Sequence, residues 1–384
     1  MITGNRRTQK STMLTSIRKE IMDNERKAEI GRALTYRSDT SIHGYSYKPD
    51  FYFVGGSRML RSWTSPNKVE SKFIDNQGLP MGFELELERR PEARYEIEDT
   101  IYELVKGVGS RYYCDRLDTY TNDVTQSIDG IIPQLLWAKS DGSLNNGVEF
   151  VTQPMTLEVH KGVRYEFDLW NDLFQGYHRS TTGMHIHIPK GAFSNVQLYL
   201  WIYLMQMIGS VRVNHAKWDT MLTLIGQRRM NNWARFQLPT WTNVKHQIAQ
   251  VAIERIDEER ARYKYVNYNN RSTLELRFFK ANMLQERILK NLEFVASTYD
   301  YVRAIDSDYQ DPVTKLLKAT NFKDYWRFIE NRNDEYWNLH EYLSPYIRRL
   351  IDWNFDTLDM PVNDEDTEAL RNLQNDQEQE QELV

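Results

Sequence analysis

Three segments of the chain alternate polar or charged residues with apolar ones. They are residues 82–88 (GFELELE), 183–188 (GMHIHI) and 273–279 (TLELRFF). Strict alternation predicts a β-strand with one apolar face and one polar face. Each strand therefore gathers its acids, histidines or arginine on one side, and its apolar side must pack against other elements of the fold.

Other segments add strands and helices to this pattern. Residues 135–139 and 147–152 predict an antiparallel pair across a polar loop, and residues 263–267 pair with 273–279. Helices are predicted over 93–108, 162–174 and 284–303. The most apolar helix, over 196–212, follows a capping-box pattern that begins at Ser194, and we expect it to be buried. The predicted class is α+β, an antiparallel sheet backed by helices.

The length of 384 residues is enough for one large domain or two modest ones. Four regions differ in composition. We predict a basic N-terminal arm over 1–75, a central catalytic domain over 76–303 and a helical cap over 304–360. The last region, 361–384, contains eight acids and one base and is expected to be a disordered acidic tail or a frayed helix.

Charge and composition exclude several classes of protein. The net charge of −5 comes mostly from the acidic tail, so nucleic-acid binding is disfavoured, and the basic arm is interpreted as a surface extension. The single cysteine, Cys114, excludes a disulfide framework and a zinc finger and fits a reducing cytoplasm. The longest apolar run, residues 198–205, is too short to span a bilayer. We therefore expect a cytoplasmic protein without a secretory signal.

Polar residues on the predicted strands are weak signals one at a time. A strand with glutamates on one face, as Glu84, Glu86 and Glu88 are here, most often turns that face to solvent. A single histidine is more often structural than a metal ligand, although the pair His185 and His187 projects to one side. Several strands that all present carboxylate, imidazole or guanidinium groups on one face favour a site for a divalent cation and a phosphate together.

Four pieces of sequence carry a resemblance to a known family. In chain order they are residues 82–86, residues 139–154 in which Asp141 and Glu149 are eight positions apart, residues 182–188 and residues 271–279. Together they resemble the amidoligases, which are carboxylate–amine ligases of the glutamine synthetase and glutamate–cysteine ligase superfamily. The resemblance spans about residues 80–300, so both terminal extensions lie outside it.

The resemblance implies a curved antiparallel sheet with helices on its convex face. The concave face would bind ATP and two or three Mg²⁺ or Mn²⁺ ions. ATP would phosphorylate a substrate carboxylate, and an amine would then attack the acyl phosphate to give an amide or isopeptide bond. The implied substrates are amino acids, peptides or proteins, and a homo-oligomer is left open.

The resemblance also implies roles for single residues. Glu86, Glu149 and Asp141 would hold one metal ion near the amine site, and Glu84, His185 and Glu275 would hold the ion that bridges the ATP phosphates. Arg277 would contact the transferred phosphate, and the further anion contacts would be His187, Lys139, Arg271 and Arg229. Asp141 stands where the glutamine synthetase pattern has glutamate. Residues 226–235 (GQRRMNNWAR) lie where the family has a further basic loop. This loop departs from the pattern, with Trp233 and Phe236 where small residues or a thiol are expected.

Two other functions stay open at this point. One is a non-catalytic structural or interaction protein, such as a viral or phage accessory component in a host cytoplasm. The other is a metal-dependent hydrolase that uses the acids and histidines. It ranks lower because it gives no role to Arg277 and a phosphate-sized site.

Overall fold

The computed structural model describes the following residues: 78–90, 136–139, 144, 147–152, 154–162, 165, 167, 171, 174–176, 181–228, 265–267, 273–351 and 364–382. The predicted N-terminal arm and the helix predicted over 93–108 lie outside these residues.

Within the described residues, seven strands form one open antiparallel sheet. They are β1 (Gly82–Arg89), β2 (Leu136–Lys139), β3 (Gly147–Thr152), β4 (Phe174–Gln175), β5 (Met184–Pro189), β6 (Val266–Asn267) and β7 (Thr273–Phe279). The order is β2-β3-β1-β5-β7-β6, and β4 also pairs with β1. Every pair is antiparallel. The predicted α+β class with an antiparallel sheet is confirmed.

The described helices lie in three places along the chain: one between β3 and β4, two between β5 and β6, and five after β7. They are α1 (Leu157–Gly162), α2 (Asn195–Ser210), α3 (Met221–Gly226), α4 (Gln285–Asp308), α5 (Pro312–Ala319), α6 (Phe322–Glu330), α7 (Trp337–Ile351) and α8 (Asp364–Glu382). None of them is both long and apolar enough to cross a bilayer. Helix α4 continues past residue 303, and the division of the chain into domains stays a prediction.

The apolar face of the sheet and the long helices share one core. Leu85, Ile186 and Leu276 are fully buried on three neighbouring strands and join the same cluster as the side chains of α2 and α4. Helix α2 begins with the predicted capping box: the backbone N–H of Gln197 donates to Ser194 Oγ at 3.1 Å, and the Ser194 N–H donates to the Gln197 side chain at 3.2 Å. Because this core covers one face of the sheet, the polar side chains are confined to the other.

The helix predicted over 162–174 is wrong. Helix α1 ends at Gly162, and the chain reaches a short strand, β4, at Phe174. Tyr165 and Phe167 are both fully buried, with their rings stacked 6.0 Å apart. Residues two apart point in nearly opposite directions on an α-helix, so on a helix these two rings could not stack on each other.

For the segment 361–384 the sequence left a disordered tail and a frayed helix open, and the structure has a helix over most of it. Residues Asp364–Glu382 form α8, which lies against α2 and α5. Leu370 is fully buried in the core, and the Gln374 side chain donates to the backbone oxygen of Gln310 at 3.0 Å. Burial of an apolar side chain on a helix that is otherwise polar accounts for the ordered structure.

Candidate functional site

Strand pairing brings the polar positions of β1, β5 and β7 side by side. Glu84 lies opposite His185, and His187 lies opposite Glu275. On the far side of β7, Asn267 of β6 lies opposite Glu275. Directly opposed residues of an antiparallel pair share a face, so these five side chains stand on the polar side of the sheet.

Glu84, His185 and Glu275 form a compact group. Each offers one ligand atom, and the three atoms all lie within 4.8 Å of one another. His185 Nδ1 is 3.6 Å from Glu84 Oε2 and 3.5 Å from Glu275 Oε1. These are the three residues predicted to hold the ion that bridges the ATP phosphates, and the structure brings them together.

Two neighbouring side chains orient the carboxylate of Glu275. Asn267 Nδ2 donates to Glu275 Oε2 at 2.8 Å, and Arg277 Nη1 donates to Glu275 Oε1. The pKa of the Glu275 carboxyl is lowered: burial raises it, but the positive charges of His187, His185 and Arg277 together outweigh burial. Glu275 is therefore an ionised carboxylate with a fixed direction, as a metal ligand requires.

The carboxylates farther along β1 are buried as well. Glu86 and Glu149 lie opposite each other on β1 and β3 and are 6% and 3% exposed. Glu88, also buried, accepts a hydrogen bond from Thr181 Oγ1. A solvated outer face, the usual environment of such a strand, is therefore ruled out here. Because burying a carboxylate is costly unless it is compensated, this face must meet positive charge.

One source of positive charge, Arg228, lies in the basic loop that the sequence indicates, but the sequence predictions selected its neighbour Arg229 as the anion contact and not Arg228 itself. This side chain is 8% exposed, and its Nη1 donates to the backbone oxygen of Arg277 at 2.8 Å. Burial lowers the pKa of Arg228 to about 10, while nearby Glu86 raises it and Arg277 lowers it. Arg228 is thus a buried cation at neutral pH. It lies between the carboxylate of Glu86 and strand β7.

The backbone around Arg228 explains how its side chain reaches the sheet. Helix α3 opens with a capping box at Thr220 and Thr223, and it ends at Gln227, which has a positive φ of 53°. A Cβ on Gly226 would lie 2.2 Å from the backbone oxygen of Phe278, so only glycine allows this approach to β7. The glycine at 226, directly after the largely apolar residues 221–225 (MLTLI), is the sequence signal that could have located this turn.

Other predicted site residues cannot be placed in full. Asp141, Arg229 and Arg271 lie outside the described residues. The backbone of Lys139 is described, and it lies opposite Glu149 in register. His187 is placed at the first group: its Nε2 is 3.5 Å from Glu84 Oε1, and its Nδ1 is 3.4 Å from Thr273 Oγ1.

Comparisons with known proteins give a distant structural likeness. No protein-family profile and no curated protein matches the chain. Among solved structures, the chain is similar to the crystal structure of the complex between prokaryotic ubiquitin-like protein Pup and its ligase PafA. The identity is 14% and the TM-score 0.24, with 77% of this chain and 63% of that chain covered. The chain thus spans less than two thirds of that chain's length, and a likeness this distant leaves function to the geometry of the site.

The two predicted metal groups fit a cation differently. In the group of Glu84, His185 and Glu275, three ligand atoms converge, with His185 Nδ1 3.6 Å from Glu84 Oε2 and 3.5 Å from Glu275 Oε1. The other ring nitrogen, Nε2, is buried and lies 3.8 Å from Glu86 Oε1. Two carboxylates and an imidazole suit Mg²⁺ or Mn²⁺. In the second group, Glu86 shares its surroundings with the Arg228 guanidinium. The described residues therefore fit a divalent ion at the first group and do not fit one at the second.

Proposed function

We propose that this chain is an ATP-dependent carboxylate–amine ligase that forms an amide or isopeptide bond through an acyl phosphate. The observation that carries the proposal is the convergence of Glu84, His185 and Glu275 with two arginines on one buried sheet face. Carboxylates and arginines side by side suit phosphoryl transfer, where charge neutralisation and positioning dominate over protein nucleophiles.

Each group in the first cluster has a role in this chemistry. Glu84, His185 and Glu275 would hold Mg²⁺ or Mn²⁺, which when bound would neutralise charge on the ATP phosphates. Arg277 lies beside Glu275 and would contact the phosphoryl group as it moves, through donors that Glu275 does not use. His187, on the rim of the cluster, would contact the same anion.

The proposed reaction has two steps that balance. An oxygen of the substrate carboxylate attacks the γ-phosphorus of ATP, and ADP leaves. The amine nitrogen then attacks the acyl carbon, phosphate leaves, and the nitrogen loses a proton. Since none of these steps uses a protein nucleophile, the absence of a cysteine or serine nucleophile from the described cluster is consistent with the proposal. That the carboxylate and the amine belong to amino acids, peptides or proteins stays a prediction.

Burial argues for a ligand-binding role over a purely structural one. Glu86, Glu149 and Glu275 are all less than 7% exposed on one sheet face. Apolar residues of similar volume generally stabilise a fold at least as well as buried ions do. A structural protein would gain nothing from this cluster, whereas an enzyme that binds a cation and a polyphosphate would use it.

The test is formation of ADP. The purified chain is incubated with ATP, Mg²⁺ and a panel of amino acids and peptides, and ADP is measured by chromatography. We expect ADP to form only when a carboxylate and an amine are both present, and Glu275→Gln to abolish it while the circular dichroism spectrum is unchanged. A hydrolase would instead cleave its substrate with metal and without ATP. Absence of ATP binding at every Mg²⁺ and Mn²⁺ concentration would overturn the proposal.

A further inference from the structure

The second predicted metal group already contains a cation that belongs to the protein. A Cβ placed on Gly183 would lie 2.3 Å from Arg228 Nη1 and 3.2 Å from Glu86 Oε2. Both atoms are thus within 3.2 Å of one point above the sheet. The guanidinium of Arg228 is therefore a near neighbour of the Glu86 carboxylate across the space that the missing side chain of Gly183 leaves open, and the charge of Glu86 raises the pKa of Arg228.

The backbone fixes this position from two directions. Gly226 and Gln227 are joined to β7, because the Lys280 N–H donates to Gly226 O at 2.8 Å and Gln227 forms a bridge with Phe279. The other end of the arginine is held by the bond from Nη1 to Arg277 O at 2.8 Å. A side chain anchored at both its backbone and its guanidinium cannot swing away without breaking buried contacts.

The turn that carries Arg228 is braced by the helical cap. Gln227 Nε2 donates to Tyr342 Oη at 3.0 Å, and Tyr342 Oη donates to Leu224 O at 2.9 Å. Lys290 Nζ donates to Ile225 O and lies 4.7 Å from the centre of the Tyr342 ring. Because α4 and α7 hold the end of α3 in this way, the position of Arg228 is built into the fold.

We infer that the guanidinium of Arg228 takes the place of a second metal ion beside Glu86, so that without nucleotide the part of the chain that the structure describes binds a single divalent cation, at Glu84, His185 and Glu275. This inference rests on the proposed function for that first group. A divalent ion at Glu86 would have to share the carboxylate with a guanidinium that cannot be deprotonated at neutral pH, and the repulsion is strong in a buried site. Arginine supplies the same neutralisation without a cofactor.

The arrangement leaves one donor for a ligand. Arg228 Nε is buried and has no hydrogen-bond partner among the described residues. A buried donor without a partner is costly, so it suits an anionic oxygen that arrives with the substrate. Arg228 would then have two roles at the same time: it would neutralise the charge of Glu86, and it would bind a substrate anion. A metal ion at that position would have the same two roles.

The test counts Mn²⁺ ions by electron paramagnetic resonance of the free ion, with Mn²⁺ as the only added ligand. We expect one tightly bound ion in the wild type and in Glu86→Gln, and none in Glu275→Gln. Arg228→Met removes the charge but keeps much of the volume. We expect this variant to bind a second Mn²⁺ ion, with an affinity at least tenfold higher than the affinity of the wild type for a second ion. The double variant Arg228→Met/Glu86→Gln should return to one ion.

Two results would overturn the inference. One is a wild type with two tight ions, of which Glu86→Gln loses one, and the other is a folded Arg228→Met variant that still binds a single ion. If circular dichroism shows that Arg228→Met does not fold, the comparison of the wild type with Glu86→Gln decides alone. Failure of the proposed metal site is distinguishable, because Mn²⁺ binding would then be unchanged in Glu275→Gln.

Discussion

Asn267 and Glu275 lie opposite each other on β6 and β7, and Asn267 Nδ2 donates to Glu275 Oε2 at 2.8 Å. The other oxygen of Glu275 accepts from Arg277, so the carboxylate cannot rotate freely. Its Oε1 is thereby presented to His185, 3.5 Å away. A neutral amide on β6, three strands away from Glu84 on β1, thus helps to set the geometry of the whole cluster.

Asn267→Ala is predicted to weaken Mn²⁺ binding by about tenfold or more, as is typical when a hydrogen bond to a metal ligand is lost. Isothermal titration calorimetry measures the affinity. Asn338→Ala is the matched control, because Asn338 donates a bond of the same length to buried Glu293, which belongs to the interface of α4 and α7. An equal loss of affinity in both variants would show that the effect is a general loss of stability.

Gly226→Ala is predicted to destabilise the fold by about 1–3 kcal/mol, because the new methyl group would overlap the backbone oxygen of Phe278. It should also displace Arg228, which follows two residues later. Gly191→Ala is the control, since a Cβ there would have no atom within 4 Å. Urea unfolding of both variants measures the difference. Equal stability of the two variants would contradict the close approach of α3 to β7.

Asp300 gives the fold a defined pH dependence. Its Oδ2 accepts from Tyr336 Oη at 2.8 Å, and burial raises the pKa of Asp300 from 3.8 to about 6. The folded state therefore keeps a proton that the unfolded state loses, so this group lowers the free energy of unfolding as pH rises from about 4 to about 6. Above pH 6 the loss is complete, at about 3 kcal/mol.

Asp300→Asn removes this titration and keeps an oxygen that accepts from Tyr336. We predict that the variant gains stability over the wild type between pH 4 and pH 6 and keeps the gain at pH 7. Urea unfolding at a series of pH values checks this. A difference between the two proteins that does not change over that range would refute the assignment to Asp300.

The polar cluster could be predicted largely because strand alternation is a local property. Residues 82–88, 183–188 and 273–279 fix which side chains share a face, and antiparallel pairing then brings Glu84, His185 and Glu275 together. The burial of Glu86 and Glu149 could not be predicted in this way. Alternation separates two faces, but whether the polar face meets water depends on what the rest of the chain places over it.

Arg228 was missed for a different reason. Its place beside Glu86 depends on the docking of the end of α3 against β7, a contact between segments about fifty residues apart in sequence. The helix predicted over 162–174 failed through long-range contacts as well. It was predicted as one continuous helix, whereas Tyr165 lies outside any helix and stacks on Phe167 in the core. Tertiary packing decided both cases, as it often does where local propensity is weak.

Transfer of ¹⁸O from a labelled carboxylate to phosphate is the most direct test of ligase chemistry. The chain is incubated with ATP, Mg²⁺, an amine and a panel of amino acids and peptides labelled with ¹⁸O in their carboxyl groups, and the released phosphate is analysed by mass spectrometry. An acyl phosphate places one substrate oxygen on each phosphate released by amide formation, so the labelled product is predicted, and Glu275→Gln should eliminate it. Phosphate that is released at the same rate without label would contradict the proposed reaction.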